Sequence, residues 1–584
     1  MNVPELLSPA GSPQALDAAL DGGADAVYLG GTVLNARMNA ANFDDGAMVD
    51  AVSRSHRRGV KIYVTLNTAV YDRELDEVVR YAKYLYDIGI DALIVADIGL
   101  ARLIHRYMPA FELHASTQAF GHNADAARVL AEAGFSRMVC ARELSIENMR
   151  SLCVSSPIEI EAFVHGAHCV SYSGQCLFSS MVGGRSGNRG ECAQPCRMKY
   201  KIMENGGENQ TDNEYPLSLR DMCLAAHITE LGDIGVRSLK IEGRMKSPDY
   251  VYAVTSVYRR LLDEGRNADE NELREMARVF SRGGFTDGYF VSDTSDMLGV
   301  RADADKDATR RYVSLRSAAV RSLPEIEISR PEVRLPERIS FRDGADSKHR
   351  AFRRMTAQFM CASQIPSEHM FDNIYLPLGA YDAAAAKVCG GVILPAVMTD
   401  SEREGVLDAV RTAVSLGARE VMAQGIGQIP LCRELKKEFP SLSFCASMRF
   451  NITNSQSRSS PVYSIFRDMT ASPELSVPQL RDMCGIFRTI VYGKMPLMLL
   501  ERPCGAKTLT DRTGAKFPVL RVGGRDVVVN CVPTYMADKA DELRRADIAA
   551  WHFIFTTETR DEVRRVEAAY KAGFAPKFAV RRIK

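Results

Sequence analysis

Four cysteines, Cys169, Cys176, Cys192 and Cys196, fall within 28 residues of a 584-residue chain, with six, fifteen and three residues between them. The segment reads HCVSYSGQCLFSSMVGGRSGNRGECAQPC and also holds Gly174, Gly183, Gly184, Gly187 and Gly190. Glycine permits backbone turns that side chains forbid, so such a loop can wrap closely round a ligand. Four thiolates on a glycine-rich loop are a donor set for an iron–sulfur cluster. Two other chemistries use the same residue types. Structural zinc is usually held by CxxC pairs, and this loop has none. A nucleophilic thiol with a histidine base needs one cysteine, where four are present. The bacterial ferredoxin run and the CxxxCxxC run of radical enzymes are absent. The loop is also basic: Arg185, Arg189, Arg197, Lys199 and Lys201 face Glu191. That pattern fits an anionic ligand as well as it fits a solvated surface.

The elements around the loop set its place. Eight short apolar runs rich in β-branched residues occur in the first 290 residues: ELLSPAG (5–11), AVYLGG (26–31), KIYVTLN (61–67), ALIVAD (92–97), FELHAST (111–117), RMVCAR (137–142), IEIEAFVHG (158–166) and SLKIEGR (238–244). Amphipathic stretches such as DRELDEVVRYAKYLYDIG separate them. Eight strand–helix units over about 250 residues predict an α/β fold, a TIM-like (β/α)8 barrel. A doubly wound sheet is the competing architecture; the count of eight and the lack of a GxGxxG turn after the first run favour the barrel.

Barrels carry their chemistry at the C-terminal ends of the strands. Those ends supply Asn35, Arg37, Asn67, Asp97, Ser116, Gln118, Arg142, Glu143, Lys240 and Arg244, and the cysteine loop follows the seventh strand. Arg37, Arg142 and Arg244 suit carboxylate recognition, since guanidinium pairs bidentately with carboxylate. Asn35 and Gln118 are further substrate-binding candidates. His114, His165 and Glu242 are candidates for proton transfer. His114 and Lys240 can instead point into the barrel wall, because side chains alternate along a strand.

Composition narrows the class. Apolar residues make up 46% and charged residues 25%, as in soluble globular proteins. A net charge of +1 gives no global pull towards polyanions. No apolar stretch approaches the roughly 20 residues of a membrane helix, and MNVPELLSPAGSPQ lacks the pattern of a secretion signal. The expected compartment is the cytoplasm, where thiols stay reduced.

The loop, together with ELLSPAG, LNAR, ELHASTQ, FVHGAHC, KIEGRMKSPDYV and RGGFTDGYF, closely resembles peptidase family U32, the collagenase-like peptidases, through residues 1–290. The resemblance implies several things. Members similar to this chain are associated with oxygen-independent hydroxylation of a ribosomal RNA cytidine, a tRNA wobble uridine or the ubiquinone ring. Some carry a [4Fe–4S] cluster on four cysteines, whose places match Cys169, Cys176, Cys192 and Cys196. RNA hydroxylation in the family is linked to prephenate as hydroxyl donor. The expectation is therefore an iron–sulfur enzyme acting on an RNA base, ribosomal cytidine first and tRNA uridine next. The alternatives are a U32 peptidase and a non-catalytic RNA-maturation protein with a structural cluster. HExxH and GxSxG are both absent, which leaves a peptidase only a cysteine mechanism.

Residues 291–370 are polar and irregular and are expected to form an insert or linker, with strand hints in EIEISRPEVRL and a helix in SKHRAFRRMTAQFM. From 371 to 584 the alternation returns and echoes the first half. LSFCASMRFNITNS parallels FELHASTQAFGHNA, and TIVYGKMPLMLLERPCG parallels EAFVHGAHCVSYSGQC. His114 is matched by Cys445, His165 by Tyr492 and Cys169 by Pro496, so this copy has lost the chemistry. At its length the expectation is a degenerate, partial repeat serving recognition or packing.

Overall fold

The computed structural model describes residues 3–32, 41–203, 214–312, 323–339, 354–483, 487–546, 548 and 550–583. Eight parallel strands close the first barrel: Glu5–Pro9, Ala26–Leu29, Lys61–Leu66, Ala92–Val95, Glu112–Ala115, Arg137–Val139, Glu159–Gly166 and Ser238–Ile241, the last pairing with both the first and the seventh. All eight lie within the runs read from the sequence.

The helices between them begin where side chains cap them. Ser12, Asp97, Asn123, Ser145 and Ser247 each accept a first-turn amide, which satisfies donors a helix start leaves open. Each helix then presents one apolar stripe. Leu75–Asp87 buries Leu75, Val78, Val79, Ala82, Leu85 and Tyr86, spaced as one helical face. Burying a large apolar side chain is worth about 1.5–3 kcal/mol, so the stripe, not helix propensity, holds the helix to the sheet.

The second half is a complete barrel, which corrects the expectation of a partial repeat. Its strands are Arg354–Gln358, Asn373–Pro377, Gly391–Ile393, Glu420–Ala423, Ser443–Ala446, Asp468–Thr470, Phe487–Gly493 and Ala550–Ile554, all parallel and closed by the pairing of the sixth with the seventh and the seventh with the eighth. The first of these strands lies in the segment expected to be linker. RMTAQ reads as part of a helix, but it takes a central place between two strands. The connections are shorter than in the first barrel: 3-10 turns at Leu378–Ala380 and Ala385–Lys387 stand where a full helix would. EIEISRPEVRL forms no strand. It straps the outside of the first barrel, where Arg330 donates to the carbonyls of Ile90 (2.7 Å) and Asp91 (2.9 Å).

Duplication is exact at the level of register. In the seventh strands Val164 and Val491 are each skipped by the pairing with the eighth strand. Gly166 and Gly493 follow at φ +103° and +134°, where a Cβ would sit 2.5 Å from the Glu242 oxygen and 2.2 Å from the Ile554 oxygen. Equivalent positions near the barrel floor carry opposite charges. In the first barrel Arg137 pairs with Glu161 at 3.3 Å; in the second Asp468 pairs with Arg488 at 2.7 Å.

The mouths of the two barrels face each other. Asp97 of the first accepts from Asn454 (2.6 Å) and Ser457 (3.1 Å) of the second, and Asn123 donates to the carbonyl of Met398 (2.7 Å). A five-stranded antiparallel sheet completes the junction. It joins Pro496–Leu500, Arg525–Val529, Lys516–Val522 and Thr508–Thr510 to Lys201–Met203, the strand that leaves the cysteine loop.

Candidate active site

At the mouth of the first barrel lies a cavity of about 430 Å3, and all four loop cysteines line it. Seven charged side chains share its wall: Arg142, Arg197, Lys240, Arg244, Lys246, Arg282 and the single carboxylate Glu242. The cavity reaches the surface beside the exposed Cys192, Gln194 and Met245.

Backbone contacts set the loop. Gly174 adopts φ +76°, and a Cβ there would sit 2.4 Å from the Gln118 carbonyl oxygen, so the loop passes tightly over the fifth strand's end. Tyr172 and Leu177 donate their amides to Leu499 (3.0 Å) and Leu497 (2.8 Å) of the second half. Arg189 forms a two-pronged pair with Glu74 at 2.7 and 2.9 Å. Arg197 donates to the carbonyls of His168 (2.8 Å) and Leu219, and Lys199 pairs with Glu214. Three of the five basic residues read from the sequence as an anion contact therefore hold the loop itself.

The four thiols are electrostatically coupled. Burial raises the Cys176 thiol well above its usual value, and the charges of Cys169, Cys192 and Cys196 each add to this. Cys196 is pushed up to about 12 by burial, against Arg197, with Cys169 and Cys192 contributing. Burial also raises Cys169, and Arg142 opposes it. Cys176 thus feels the other three thiols and Cys196 feels two of them, so negative charge on one sulfur makes the next harder to ionise. A positively charged metal group reverses that repulsion, with release of the thiol protons. The Gln194 amide already donates to the Cys192 sulfur at 3.3 Å. Among the described residues no three His, Cys, Asp or Glu side chains are grouped as one metal ion requires. The four thiols line one cavity wall, and four thiolates are the donor set that an iron–sulfur cluster would use.

The other residues singled out from the sequence separate into two groups. Gln118, Arg142, Glu242 and Arg244 line the cavity with the thiols. Arg142 lies 4.0 Å from the Phe163 ring centre, 3.2 Å from the Ser173 hydroxyl and 3.9 Å from Glu242. Arg244 donates to Thr65 at 3.0 Å. His114 and His165 do not line it. His114 is fully buried and meets Glu112 at 3.0 Å, a contact that holds the Glu112 carboxyl down at about 2. His165 points out of the barrel to Tyr250 and Tyr258, and burial lowers it to about 3. Strand alternation turns His165 outward, whereas His114 faces inward but sits below the cavity beside Tyr63, so neither is set to move a proton in the cavity. Asn35 and Arg37 lie outside the described residues. His168 also lines the cavity, and two charged residues of its wall, Lys246 and Arg282, were missed. Burial holds Lys246 at about 7, with Arg282 and Arg301 adding to the effect against Asp221. Its signal was proximity: it follows Arg244 by two positions.

The geometry defines a (β/α)8 barrel with a thiol-lined mouth, and comparison assigns the family. The profile of peptidase family U32 matches residues 11–298. The 23S rRNA 5-hydroxycytidine C2501 synthase of Escherichia coli (strain K12) is 42% identical over 290 residues, half of this chain and 43% of that protein. The tRNA hydroxylation protein P1 of Bacillus subtilis (strain 168) is 35% identical over 356 residues, 56% of this chain and 84% of that protein. A collagenase of Porphyromonas gingivalis (strain ATCC BAA-308 / W83) is 34% identical over 311 residues, 49% of this chain and 73% of that protein. The chain belongs to peptidase family U32. It spans less than half the length of the first of these relatives. No helix among the described residues is long and apolar enough to cross a membrane.

Proposed function

We propose that this protein hydroxylates an RNA base without molecular oxygen, using a [4Fe–4S] cluster held by Cys169, Cys176, Cys192 and Cys196. Ribosomal cytidine is the first candidate substrate and a tRNA uridine the second. The observation that carries the reading is the convergence of four coupled thiols and six cationic side chains on one cavity of about 430 Å3. Two relatives whose names specify RNA hydroxylation share that half of the chain.

When bound, the cluster supplies redox or Lewis-acid chemistry at the cavity wall. The chain's own residues do the rest. A cavity of this size takes a base turned out of its stack, and Phe163 and Tyr28 line its wall under Arg142 and Lys240. Arg142 and Arg244 present guanidinium groups to the carboxylates of a hydroxyl donor such as prephenate. Lys246, poised near neutrality, takes or returns a proton, and Glu242 is the carboxylate available beside it. The loop's partners in the second barrel keep bulk water from the thiols on that side.

The test is anaerobic purification followed by RNA mass spectrometry. The protein should be brown, with absorbance near 400 nm and about four irons per chain. A deletion strain should lose one hydroxyl mass from ribosomal or transfer RNA, and Cys192→Ala should remove both iron and the modification. A colourless, zinc-loaded protein that restores the modification would overturn the reading.

A further inference from the structure

The mouth of the second barrel holds a cavity of its own, about 340 Å3, within the range of small-molecule sites. Its walls are mostly apolar, with Phe359, Leu394, Met422, Leu520 and Val529 among them. No thiol and no carboxylate lines it; the two charged residues are Arg449 and Arg521. Arg521 is neutralised by Asp526 at 2.9 Å. Arg449 is not paired with a carboxylate among the described residues. Its guanidinium donates to the neutral amide oxygen of Gln175 at 3.2 Å, and burial alone lowers it to about 10.

A second polar group stands unanswered on the same wall. Thr470 is 1% exposed, and its hydroxyl has no hydrogen-bond partner. His552 adds no charge: its two ring nitrogens meet Thr356 (2.8 Å) and Gln358 (3.3 Å), and burial keeps it neutral. A half-buried cation that no carboxylate pairs and a buried hydroxyl without a partner both cost stability. They are retained at the edge of a preformed apolar space.

The duplication shows that this arrangement is not required by the fold. In the first barrel a 3-10 turn, Thr117–Ala119, capped by Ser116, leads into the left-handed residue Phe120. In the second, Met448–Phe450, capped by Ser447, leads into the left-handed Asn451. The residue at the middle of the turn is Gln118 in one and Arg449 in the other. The same backbone therefore accepts a neutral amide, and the second barrel carries a cation there instead.

We infer that the second barrel's mouth binds a small organic carboxylate with an apolar, ring-sized body, its carboxylate on Arg449 and its body against Phe359, Leu394 and Leu520. One cation without an acid matches one negative charge, and the apolar wall excludes a heavily hydrated inorganic anion. Gln175, which holds Arg449, lies between Cys169 and Cys176; it also donates to the Arg449 carbonyl at 3.1 Å. The second site is thus tied directly to the cysteine loop.

Equilibrium dialysis of the full chain with 2-naphthoate and with 2-naphthamide tests this. Naphthoate should bind saturably and at least about tenfold tighter than the amide, as a charge-assisted contact requires. Arg449→Gln, which installs the residue the first barrel tolerates at this corner, should weaken naphthoate by about tenfold or more and leave naphthamide within about twofold. Leu520→Trp, which fills the cavity, should remove both. Equal binding of the two probes by the unaltered chain would overturn the inference. So would naphthoate binding that Arg449→Gln and Leu520→Trp leave unchanged, since that binding would belong to the first barrel.

Discussion

Asp468→Asn should destabilise the second barrel severely, because it strips the charge partner from a guanidinium that water cannot reach. Arg488 is 0% exposed, and its Nε lies 2.7 Å from Asp468. Its other close contact is the neutral hydroxyl of Tyr375 at 3.2 Å. Asp468 also meets Arg354 and Arg467, but those keep Glu420. Removing one partner of a buried pair costs about 3–5 kcal/mol. The single tryptophan of the chain, Trp551, is buried in the last strand of this barrel beside Thr489, so its fluorescence reports this barrel. With a urea m-value of about 2–3 kcal/mol/M, the midpoint should fall by about 1–2.5 M. Asp468→Leu combined with Arg488→Met removes both charges and should restore the midpoint to within about 0.5 M of the parent, since apolar replacement of a buried pair is often neutral or stabilising. A single variant shifted by less than about 0.3 M, or a double variant as weak as the single, would refute the reasoning.

Four further outcomes follow from the same geometry. Gly174→Ala forces a side chain into left-handed backbone against the Gln118 carbonyl, so iron content after anaerobic reconstitution should fall while the barrels stay folded by circular dichroism. Arg142→Lys keeps the charge but loses the planar fork, so the apparent KM for a carboxylate donor should rise by about tenfold or more with a smaller change in kcat. Activity should rise with pH through about 7 as Lys246 loses its proton, and Lys246→Gln should flatten that limb. Stability has the same sign: the unfolded lysine binds more protons between about 7 and its usual value, so folding strengthens as pH rises across that window and Lys246→Met should remove that slope. Asn454→Ala leaves Asp97 and the Val70 carbonyl short of a buried donor, and hydrogen exchange should accelerate in Ile98–Tyr107.

Much of the first barrel was legible because each of its strands is a short apolar run and several helices start at a capping side chain. The four cysteines were legible as a set because their spacing is local. Which polar strand ends face the cavity was not, since it depends on the parity of each residue along its strand and on the skipped residue at Val164. Parity turned His165 outward, depth in the barrel kept inward-facing His114 out of the cavity, and Glu242 and Arg244 reached the mouth. The second barrel was underread for a different reason. Its opening strand RMTAQ has a helix-like composition, and one connection carries two 3-10 turns in place of a helix, so a full barrel fits in fewer residues than the usual unit length implies. The Arg449 cavity was out of reach, because what sets Arg449 apart is the lack of an acid nearby, and only the folded chain reveals its neighbours.

The strand Lys201–Met203 has a consequence for how the protein is made. It leaves the cysteine loop and finds its sheet partner in Thr508–Thr510. At about 5–20 residues per second, a ribosome that has released residue 203 needs roughly 15–60 s more to supply that partner. The thiols are therefore synthesised well before the surface that closes over them. Under the proposed function, iron and sulfide would have a window for delivery during translation, when the loop is open on the side that the second barrel later covers, and a chain stopped between the two barrels would keep that window open.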